Sequence, residues 1–338
     1  MTATTMAQAL SAALHDAMRK SERVVLFGGE NDHLDGAFHV TNGLVTEFGR
    51  WRCFTSRTSE VENLATAVGM AMYGYRPVIE LTSGARAHPT FDQTIVELAM
   101  MRTCTRGQVG LPIVLRIPYG GGVGEGPRHD ISSLACWTHI PGLHTVAPAT
   151  VADAYSLLRE AIDSPDPVVF LEPERMYWLT EDVGLPVRTQ PLGRAVIRRA
   201  GSSATLIACG SAVPIAVAAA DAAEGEEGWD VEVIDLRTLV PFDDATVVES
   251  VARTGRAVIV HESHGFHGMG AEVAARVAER CFGKLKAPVL RVAGWDVPSP
   301  APNLEKYHLP SVDRVLCALR QVHDVPSCPA HEVHAPGT

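Results

Sequence analysis

The 338-residue sequence lacks an uninterrupted apolar run of about 20 residues, the length that a helix needs to cross a bilayer, so we expect no membrane span. Residues 1–13 lack a basic start followed by an apolar segment, so we expect no signal peptide. Positive charge is also scarce, because 29 basic against 39 acidic residues give a net charge of −10. A chain this acidic is a poor general ligand for nucleic-acid backbones or anionic membranes.

Closely spaced cysteine pairs are absent as well. The seven cysteines are scattered, and none of them form a Cys-x-x-Cys pair. An odd number in this arrangement is typical of reduced thiols, so the sequence predicts a cytoplasmic protein without a zinc site. Hydrophobic residues make up 46% of the chain and charged residues 20%, which predicts packed globular domains rather than general disorder.

Short apolar runs alternate with amphipathic helical stretches in the first half of the chain. The predicted strands are 23–27, 77–81, 111–117, 143–147 and 167–171, and the predicted helices are 6–19, 61–73, 90–102 and 151–162. Alternation of this kind predicts a mostly parallel sheet that is covered on both faces.

A second segment of the same kind follows a seam. Residues 177–191 are polar, contain Pro and Gly and lack a period, which predicts a linker on the surface. The alternation resumes at 204–209. The sequence therefore predicts the α/β fold class with two doubly wound domains, at residues 1–185 and 192–325, followed by a disordered tail at 326–338.

Residues 58–69, TSEVENLATAVG, contain the first candidate for chemistry. Ser59 followed three residues later by Glu62 is a capping box, so we expect a helix to begin here, with Glu60 in its first turn. The plainest role of Glu60 is to complement the helix dipole, which is worth less than about 1 kcal/mol. A buried carboxylate at such a position can instead act as a proton donor, and the sequence leaves both roles open.

Residues 117–130, IPYGGGVGEGPRHD, place five glycines after a predicted strand. This pattern predicts a loop whose backbone approaches another group closely or adopts positive φ. No Gly-Lys-Ser/Thr follows and no clear helix begins after the last glycine, so neither a Walker loop nor a dinucleotide fingerprint is indicated. His129 lies near the end of the loop, where α/β sheets bind ligands, and is therefore a candidate functional residue.

Residues 261–270, HESHGFHGMG, contain three histidines spaced at i, i+3 and i+6 with glycines between them. This spacing fits no standard zinc motif, and a strand that ends in a loop before a helix is the better interpretation. The chain has no Gly-x-Ser-x-Gly and no His-Glu-x-x-His, so hydrolytic chemistry has no local support.

Several segments occur in an order and spacing that resemble a known family: VVLFGGENDHLDGAFHVTNGL, TSEVENLATAVGMAMYGYRPVIE, LPIVLRIPYGGGVG, VEVIDLRTLVPFD and GAEVAARVAE. Over about residues 5–322 the chain resembles the β subunit of the first component of 2-oxo acid dehydrogenase complexes, of the pyruvate, branched-chain 2-oxo acid or acetoin type. The resemblance implies a thiamine-diphosphate pyrimidine-binding domain followed by a transketolase C-terminal domain. It does not specify the substrate.

The resemblance also implies partners and cofactors. The cofactor is thiamine diphosphate, with its diphosphate and Mg²⁺ held mainly by an α subunit in an α2β2 heterotetramer. This chain contains no Gly-Asp-Gly followed by a downstream Asn, which is the diphosphate-side motif, so we expect only half of the active site here. The acyl group formed from a 2-oxo acid passes to a lipoyl acyltransferase or another acyl carrier protein.

Individual positions carry roles by the same resemblance. Glu60 matches the family glutamate that gives a proton to the cofactor pyrimidine, and His129 matches the histidine that faces the substrate and the lipoyl group. Arg86 stands at a position that contacts the cofactor. In some relatives, backbone carbonyls hold a structural K⁺ at the positions of Ile113, Ala161, Ile162, Ser164 and Asp166.

Four departures from the family fall near the expected pocket. Gly29 replaces a usual Glu, Arg86 replaces an aromatic residue, Ser-Arg-Thr at 56–58 replaces Thr-Pro-Leu, and Asp130 replaces a Ser. We expect a changed substrate, acceptor or cofactor contact rather than loss of activity, because Glu60 and His129 remain. A guanidinium at position 86 is expected to face an acidic side chain or an anionic substrate group, unless it points into solvent.

Three functions are consistent with these observations. The first is the β subunit of a 2-oxo acid dehydrogenase. The second is a thiamine-diphosphate-dependent acyl or two-carbon transferase of specialised metabolism, which a neighbouring lipoyl acyltransferase gene would argue against. The third is a cofactor-free structural partner, which binding of thiamine diphosphate by an αβ complex would exclude.

Overall fold

The structure is a computed structural model that describes residues 3–29, 37–56, 58–124, 132 and 134–324. The chain divides into two units: unit 1 comprises residues 1–119 and 136–192, and unit 2 comprises residues 120–135 and 193–338. His129, Asp130 and Arg57 lie outside the described residues, and so does the predicted tail at 326–338.

A parallel sheet forms the centre of unit 1. Its strands are β2 (Val24–Gly28), β3 (Cys53–Thr55), β4 (Arg76–Glu80), β5 (Val114–Tyr119), β6 (His144–Val146) and β7 (Val168–Pro173), while β1 (Thr4–Thr5) and β8 (Thr180–Glu181) form a separate two-stranded sheet. The order is β6-β7-β5-β4-β2-β3 with every neighbour parallel, while β1 pairs antiparallel with β8. All residues of β2, β5 and β7 are buried, as strands covered on both faces require.

The helices of the first half of the chain follow the predicted alternation. They are α1 (Met6–Lys20), α2 (Leu44–Phe48), α3 (Glu60–Met72), α4 (Gly84–Ala87), α5 (Phe91–Gln93), α6 (Met100–Cys104), α7 (Leu134–Thr138) and α8 (Val151–Asp163), with 3₁₀ turns at Ala37–His39, His88–Thr90 and Glu174–Met176. Leu10 and Leu14 of α1 lie in one apolar cluster with Leu157 and Leu158 of α8 and Phe170 of β7. Burial of these side chains stabilises the layer by roughly 1.5–3 kcal/mol for each.

The prediction of one regular α-helix at 90–102 is wrong in the type of helix. The stretch is a succession of a 3₁₀ turn, α5, a π-helical segment at Thr94–Ala99 and α6. Thr90 Oγ1 donates to the Ala87 carbonyl at 2.7 Å, and Thr94 Oγ1 donates to the Thr90 carbonyl at 2.9 Å. Hydroxyl groups that bond backwards in this way compete with the regular ladder and bend a helix.

Unit 2 contains a second, mostly parallel sheet. The sheet is formed by β9 (Val196–Arg199), β10 (Ala204–Ala208), β11 (Val231–Asp235), β13 (Ala257–His264) and β14 (Leu290–Gly294). The short strand β12 (Thr238–Val240) lies outside this sheet. The helices of unit 2 are α9 (Ala212–Glu227), α10 (Asp244–Thr254), α11 (Met269–Cys281), α12 (Glu305–His308) and α13 (Val312–Val322), with a 3₁₀ turn at Phe282–Lys284. The sheet order is β14-β13-β10-β11-β9, and only the edge strand β9 is antiparallel. The predicted α/β fold class is therefore confirmed.

Two smaller expectations require correction. Tyr177, where the surface linker was predicted to begin, is fully buried, because its ring stacks on Phe38 with centroids 4.1 Å apart. Cys317 is disulfide-bonded, so the expectation of reduced thiols throughout is wrong there, although Cys53, Cys104 and three others are free. Among the described residues, no helix is both long and apolar enough to cross a membrane.

Candidate functional site

Glu60 is fixed in place by the start of α3. Ser59 Oγ accepts a hydrogen bond from the Glu62 amide at 3.3 Å, and Glu62 Oε2 accepts one from the Ser59 amide at 2.9 Å. The predicted capping box is therefore present, and Glu60 is the first helical residue. Since α3 follows β3 in a parallel sheet, Glu60 lies at the edge where the strands' carboxyl ends meet, which is the ligand-binding edge of such sheets.

Arg86 reaches Glu60 from the next strand connection. It belongs to the short helix α4 after β4, and its amide donates to Ser83 Oγ at 3.4 Å. Arg86 Nη1 lies 3.3 Å from Glu60 Oε1, while the side chains of Arg86 and Glu60 are 40% and 20% exposed. The sequence left open whether Arg86 faces an acidic side chain, an anionic substrate group or solvent, and the structure shows an acidic neighbour. A pair this exposed is worth at most about 1 kcal/mol, so a competing anion can separate it.

Gly28 and Gly29 end β2 beside β4. The Gly29 amide donates to the Glu80 carbonyl at 3.1 Å, and a Cβ at Gly28, whose φ is +118°, would overlap that carbonyl oxygen. A Cβ at position 29 would lie 3.6 Å from Glu80 Oε2. A glutamate at this position would bring a second carboxylate towards Glu80, and glycine avoids that repulsion.

A buried charge network lies at the same edge of the sheet. Arg116 donates to both carboxylate oxygens of Glu172, at 2.7 and 2.9 Å, and lies 3.5 Å from Glu80 Oε1. Tyr177 donates its hydroxyl to Glu172 at 2.5 Å. Burial alone would lower the pKa of Arg116, but the carboxylates of Glu172 and Glu80 outweigh this effect and raise it. Burial and the Glu172 carboxylate raise the pKa of Tyr177.

This network was not predicted from the sequence, although the sequence contains a signal for it. Arg116, Glu80 and Glu172 are charged residues within or directly after three apolar runs that predict buried strands. Because charged side chains are rarely fully buried unless they are paired, three of them on neighbouring strands indicate mutual contact.

The glycine loop after β5 contacts carboxylates. Gly120, Gly122 and Gly124 have φ of +99°, +96° and +77°. The Gly121 amide donates to Glu262 Oε1, and the Gly122 amide donates to Glu305 Oε1. The loop and both glutamates belong to unit 2. Because these two amides already donate to carboxylates, they do not form a phosphate cradle.

The histidine segment at 261–270 has the predicted arrangement, in which β13 ends at His264 and α11 begins at Met269. His261 is fully buried against Gly270, and one ring nitrogen shares a 2.9 Å hydrogen bond with Ser263 Oγ. Burial, with Arg291 nearby, lowers the pKa of His261 to about 4. In the ranges that the structure describes, no group of three or more His, Cys, Asp or Glu side chains could hold a metal ion.

The resemblance implied five backbone carbonyls for K⁺, and each of them accepts a hydrogen bond within unit 1. Arg76 Nη1 donates to the carbonyls of Ile162 and Ser164, at 2.8 and 2.9 Å. The other three bonds are from the Val168 amide to Ile113 O at 2.9 Å, from the Ser164 amide to Ala161 O at 3.2 Å, and from Ser164 Oγ to Asp166 O at 3.0 Å. A carbonyl oxygen has two lone pairs, so each retains one for a cation. The Arg76 guanidinium adds a positive charge beside two of them, which opposes cation binding.

Comparisons with known proteins identify both halves of the chain. The family described as "Transketolase, pyrimidine binding domain" matches residues 2–178, and "Transketolase, C-terminal domain" matches residues 193–315. The chain is 44% identical over 318 residues to the 3-methyl-2-oxobutanoate dehydrogenase subunit beta of Mycobacterium tuberculosis, covering 94% of this chain and 91% of that protein. The chain belongs to the family of 2-oxo acid dehydrogenase β subunits. The resemblance found in the sequence is therefore confirmed.

Other relatives agree with this assignment. The pyruvate dehydrogenase E1 component subunit beta of Leifsonia xyli is 43% identical over 311 residues, which is 92% of each chain. A solved structure described as "Split gene transketolase, inactive beta4 tetramer" shares the fold, with a TM-score of 0.77 at 22% identity over 96% of this chain and 100% of the other. Relatives named for two different 2-oxo acids lie at nearly equal identity, so similarity alone does not specify the substrate.

Proposed function

We propose that this chain is the β subunit of a cytoplasmic thiamine-diphosphate-dependent 2-oxo acid dehydrogenase, which decarboxylates a 2-oxo acid and transfers the acyl group to a lipoyl carrier. The observation that carries the proposal is the Glu60 carboxyl group, which a capping box fixes at the ligand-binding edge of a pyrimidine-binding-type domain. No observation on this chain favours the acyl or two-carbon transferase alternative. The domain division at 1–185 and 192–325 is part of the same proposal.

The residues at the sheet edge fit the pyrimidine half of the cofactor. Glu60 is 20% exposed, so a ligand can reach it, and its carboxyl group can hold a proton against a ring nitrogen. When bound, thiamine diphosphate supplies the nucleophilic carbon and the electron sink that decarboxylation needs. Arg86 lies beside Glu60 and would contact the pyrimidine or the substrate. The α subunit would hold the diphosphate with Mg²⁺.

Other site residues have supporting roles in this proposal. His129 orients the substrate and the lipoyl group or transfers a proton between them. A K⁺ ion would use the second lone pair of the carbonyls of Ile113, Ala161, Ile162, Ser164 and Asp166. The charge of Arg76 makes that site weaker than a cage of carbonyls alone.

Co-expression with its α subunit tests the proposed function. We expect the purified chain alone to bind thiamine diphosphate poorly and to release no CO₂ from any 2-oxo acid. The α2β2 complex should bind the cofactor and turn over at least one member of a panel of 2-oxo acids. Calorimetry measures the binding, and CO₂ release from labelled substrates measures turnover.

Two results would contradict this proposal. Full turnover by the isolated chain would show that the α subunit is not needed. A complex that binds no thiamine diphosphate would indicate a cofactor-free structural partner instead.

Arg86 is expected to influence substrate choice. A guanidinium binds carboxylate or phosphate groups through charge-assisted hydrogen bonds worth about 1.5–3 kcal/mol. Replacing Arg86 by Phe should therefore lower kcat/KM for an anionic side-chain substrate by about 10- to 100-fold and raise it for small apolar 2-oxo acids. Steady-state kinetics on both substrate classes measures the change.

The matched control is Arg19→Phe, since Arg19 also forms a half-exposed ion pair in unit 1, with Glu47 at 2.6 Å, but lies far from the site in sequence. Arg19→Phe should leave the ratio of kcat/KM for anionic and apolar 2-oxo acids unchanged. Equal effects of Arg86→Phe on charged and uncharged substrates would contradict a role in specificity.

A further inference from the structure

Two buried carboxylates hold the glycine loop that follows β5. Glu262, near the end of β13, and Glu305, at the start of α12, are 4% and 6% exposed. Glu262 Oε1 accepts from the Gly121 amide, and Glu305 Oε1 accepts from the Gly122 amide. Adjacent backbone donors are thus bound by two acids that are 43 positions apart in the sequence.

The loop amides stabilise the buried charges of the two carboxylates. A buried carboxylate is costly unless hydrogen bonds compensate its charge. Glu262 accepts hydrogen bonds from the Gly121 amide and from the Ser211 hydroxyl at 2.5 Å, and Glu305 accepts one from the Gly122 amide. Backbone amides therefore supply part of the compensation for both acids.

The loop in turn needs glycine. A Cβ at Gly120 would lie 2.5 Å from Glu262 Oε1, and a Cβ at Gly121 would overlap Glu305 Oε1. Gly120 and Gly122 also have positive φ, which other residues rarely adopt. Close approach of the backbone to the two glutamates therefore explains the glycines at positions 120–122.

We infer that Glu262 and Glu305 are positioning residues that fix the backbone of the loop Gly120–Gly122 within unit 2. The inference rests on the proposed function, because this loop leads in the sequence to His129, the residue proposed to face the substrate. The two acids contact the loop backbone, and they act on the reaction only through it. We call this pair of contacts to the loop backbone a main-chain clamp.

Hydrogen–deuterium exchange on the α2β2 complex tests the clamp directly. Loss of the acceptor in Glu305→Ala should speed exchange of the Gly122 amide about 10-fold or more, since hydrogen bonds to charged groups are the stronger ones. Glu305→Gln keeps a neutral acceptor and should fall between Glu305→Ala and the unmodified complex. Peptides covering residues 117–124, resolved by fragmentation, provide the measurement.

The matched control is Glu232→Ala. Glu232 is also a buried acid of unit 2, is 2% exposed, and pairs with Arg253 and Ser250 instead of the glycine loop. This variant should lower stability without changing exchange at Gly121 or Gly122. Unchanged exchange at Gly122 in Glu305→Ala would overturn the clamp, and if that variant does not fold, unchanged exchange in Glu305→Gln decides against it.

Kinetics then separates positioning from a purely structural role. Glu305→Ala should lower kcat about 10-fold or more while the affinity for thiamine diphosphate stays within about twofold, and Glu305→Gln should recover most of kcat. Faster exchange with unchanged kcat would overturn the positioning role. If the unmodified complex turns over no 2-oxo acid, the proposed function fails, while the exchange rates still decide whether the acids fix the loop.

Discussion

Glu60→Gln is expected to reduce activation of the cofactor by at least about 10²-fold and to leave the fold intact. Glutamine has nearly the same shape as glutamate, so the start of α3 can form as before. Its amide cannot hold and release a proton as a carboxyl group does. Exchange of the thiazolium proton for deuterium in the α2β2 complex measures the loss directly, because that exchange depends on proton transfer at the pyrimidine.

The structural roles of Glu60 are too small to account for such a loss. A carboxylate in the first turn of a helix contributes about 0.3–1 kcal/mol through the helix dipole. The ion pair with Arg86 is part-exposed and adds at most about 1 kcal/mol. Each of these contributions affects stability, and neither provides a proton to the cofactor.

Glu62→Gln is the matched control on the same helix turn. Glu62 accepts a hydrogen bond from the Ser59 amide, and a glutamine oxygen can accept it as well. That variant should therefore exchange the thiazolium proton at nearly the normal rate. If Glu60→Gln did the same, Glu60 would only complement the helix dipole of α3 and its assignment as proton donor would be wrong.

The sequence predicted those features that depend on nearby residues. The capping box at Ser59 and Glu62 specified the start of α3, and the alternation of apolar runs with amphipathic helices specified the α/β fold class. These signals are local because a cap or a buried strand is determined by a few adjacent side chains. The glycine run likewise indicated a close approach of the backbone.

Features that depend on distant residues were not predicted. The glycine run did not reveal that its partners are Glu262 and Glu305, which lie 141 and 183 residues away along the chain. The contact between Arg86 and Glu60 joins two separate connections between strands and helices, and the sequence left its partner open. Edge strand β9 is antiparallel in an otherwise parallel sheet, which no local period indicates.

Arg116→Met is expected to destabilise unit 1 by about 3–5 kcal/mol, the usual cost of removing one partner of a buried ion pair. Arg116 is 1% exposed and is the cation between two buried carboxylates, Glu172 and Glu80. Without Arg116, both negative charges stay buried and lose the positive charge that stabilises them. Urea unfolding should show a midpoint lowered by more than about 1 M.

Replacing Glu172, the partner of Arg116, should lower the free energy of unfolding by less than replacing Arg116 does. Glu172→Leu removes one carboxylate but leaves Arg116 beside Glu80, whose Oε1 lies 3.5 Å from Arg116 Nη1. Tyr177 also loses the acceptor of its 2.5 Å hydrogen bond in this variant. We therefore expect Arg116→Met to cost more than Glu172→Leu, and the double variant to cost less than the sum of the two because the residues are in direct contact.

Glu47→Gln, which alters the surface partner of Arg19, is the control and should leave the urea midpoint unchanged. Additive effects of Arg116→Met and Glu172→Leu would contradict a coupled network. A midpoint for Arg116→Met equal to that of the unmodified chain would contradict the burial of this charge. Glu80 and Glu172 lie at or next to the ends of β4 and β7, at the sheet edge that carries Glu60. The charge network around Arg116 therefore stabilises the part of unit 1 that positions Glu60.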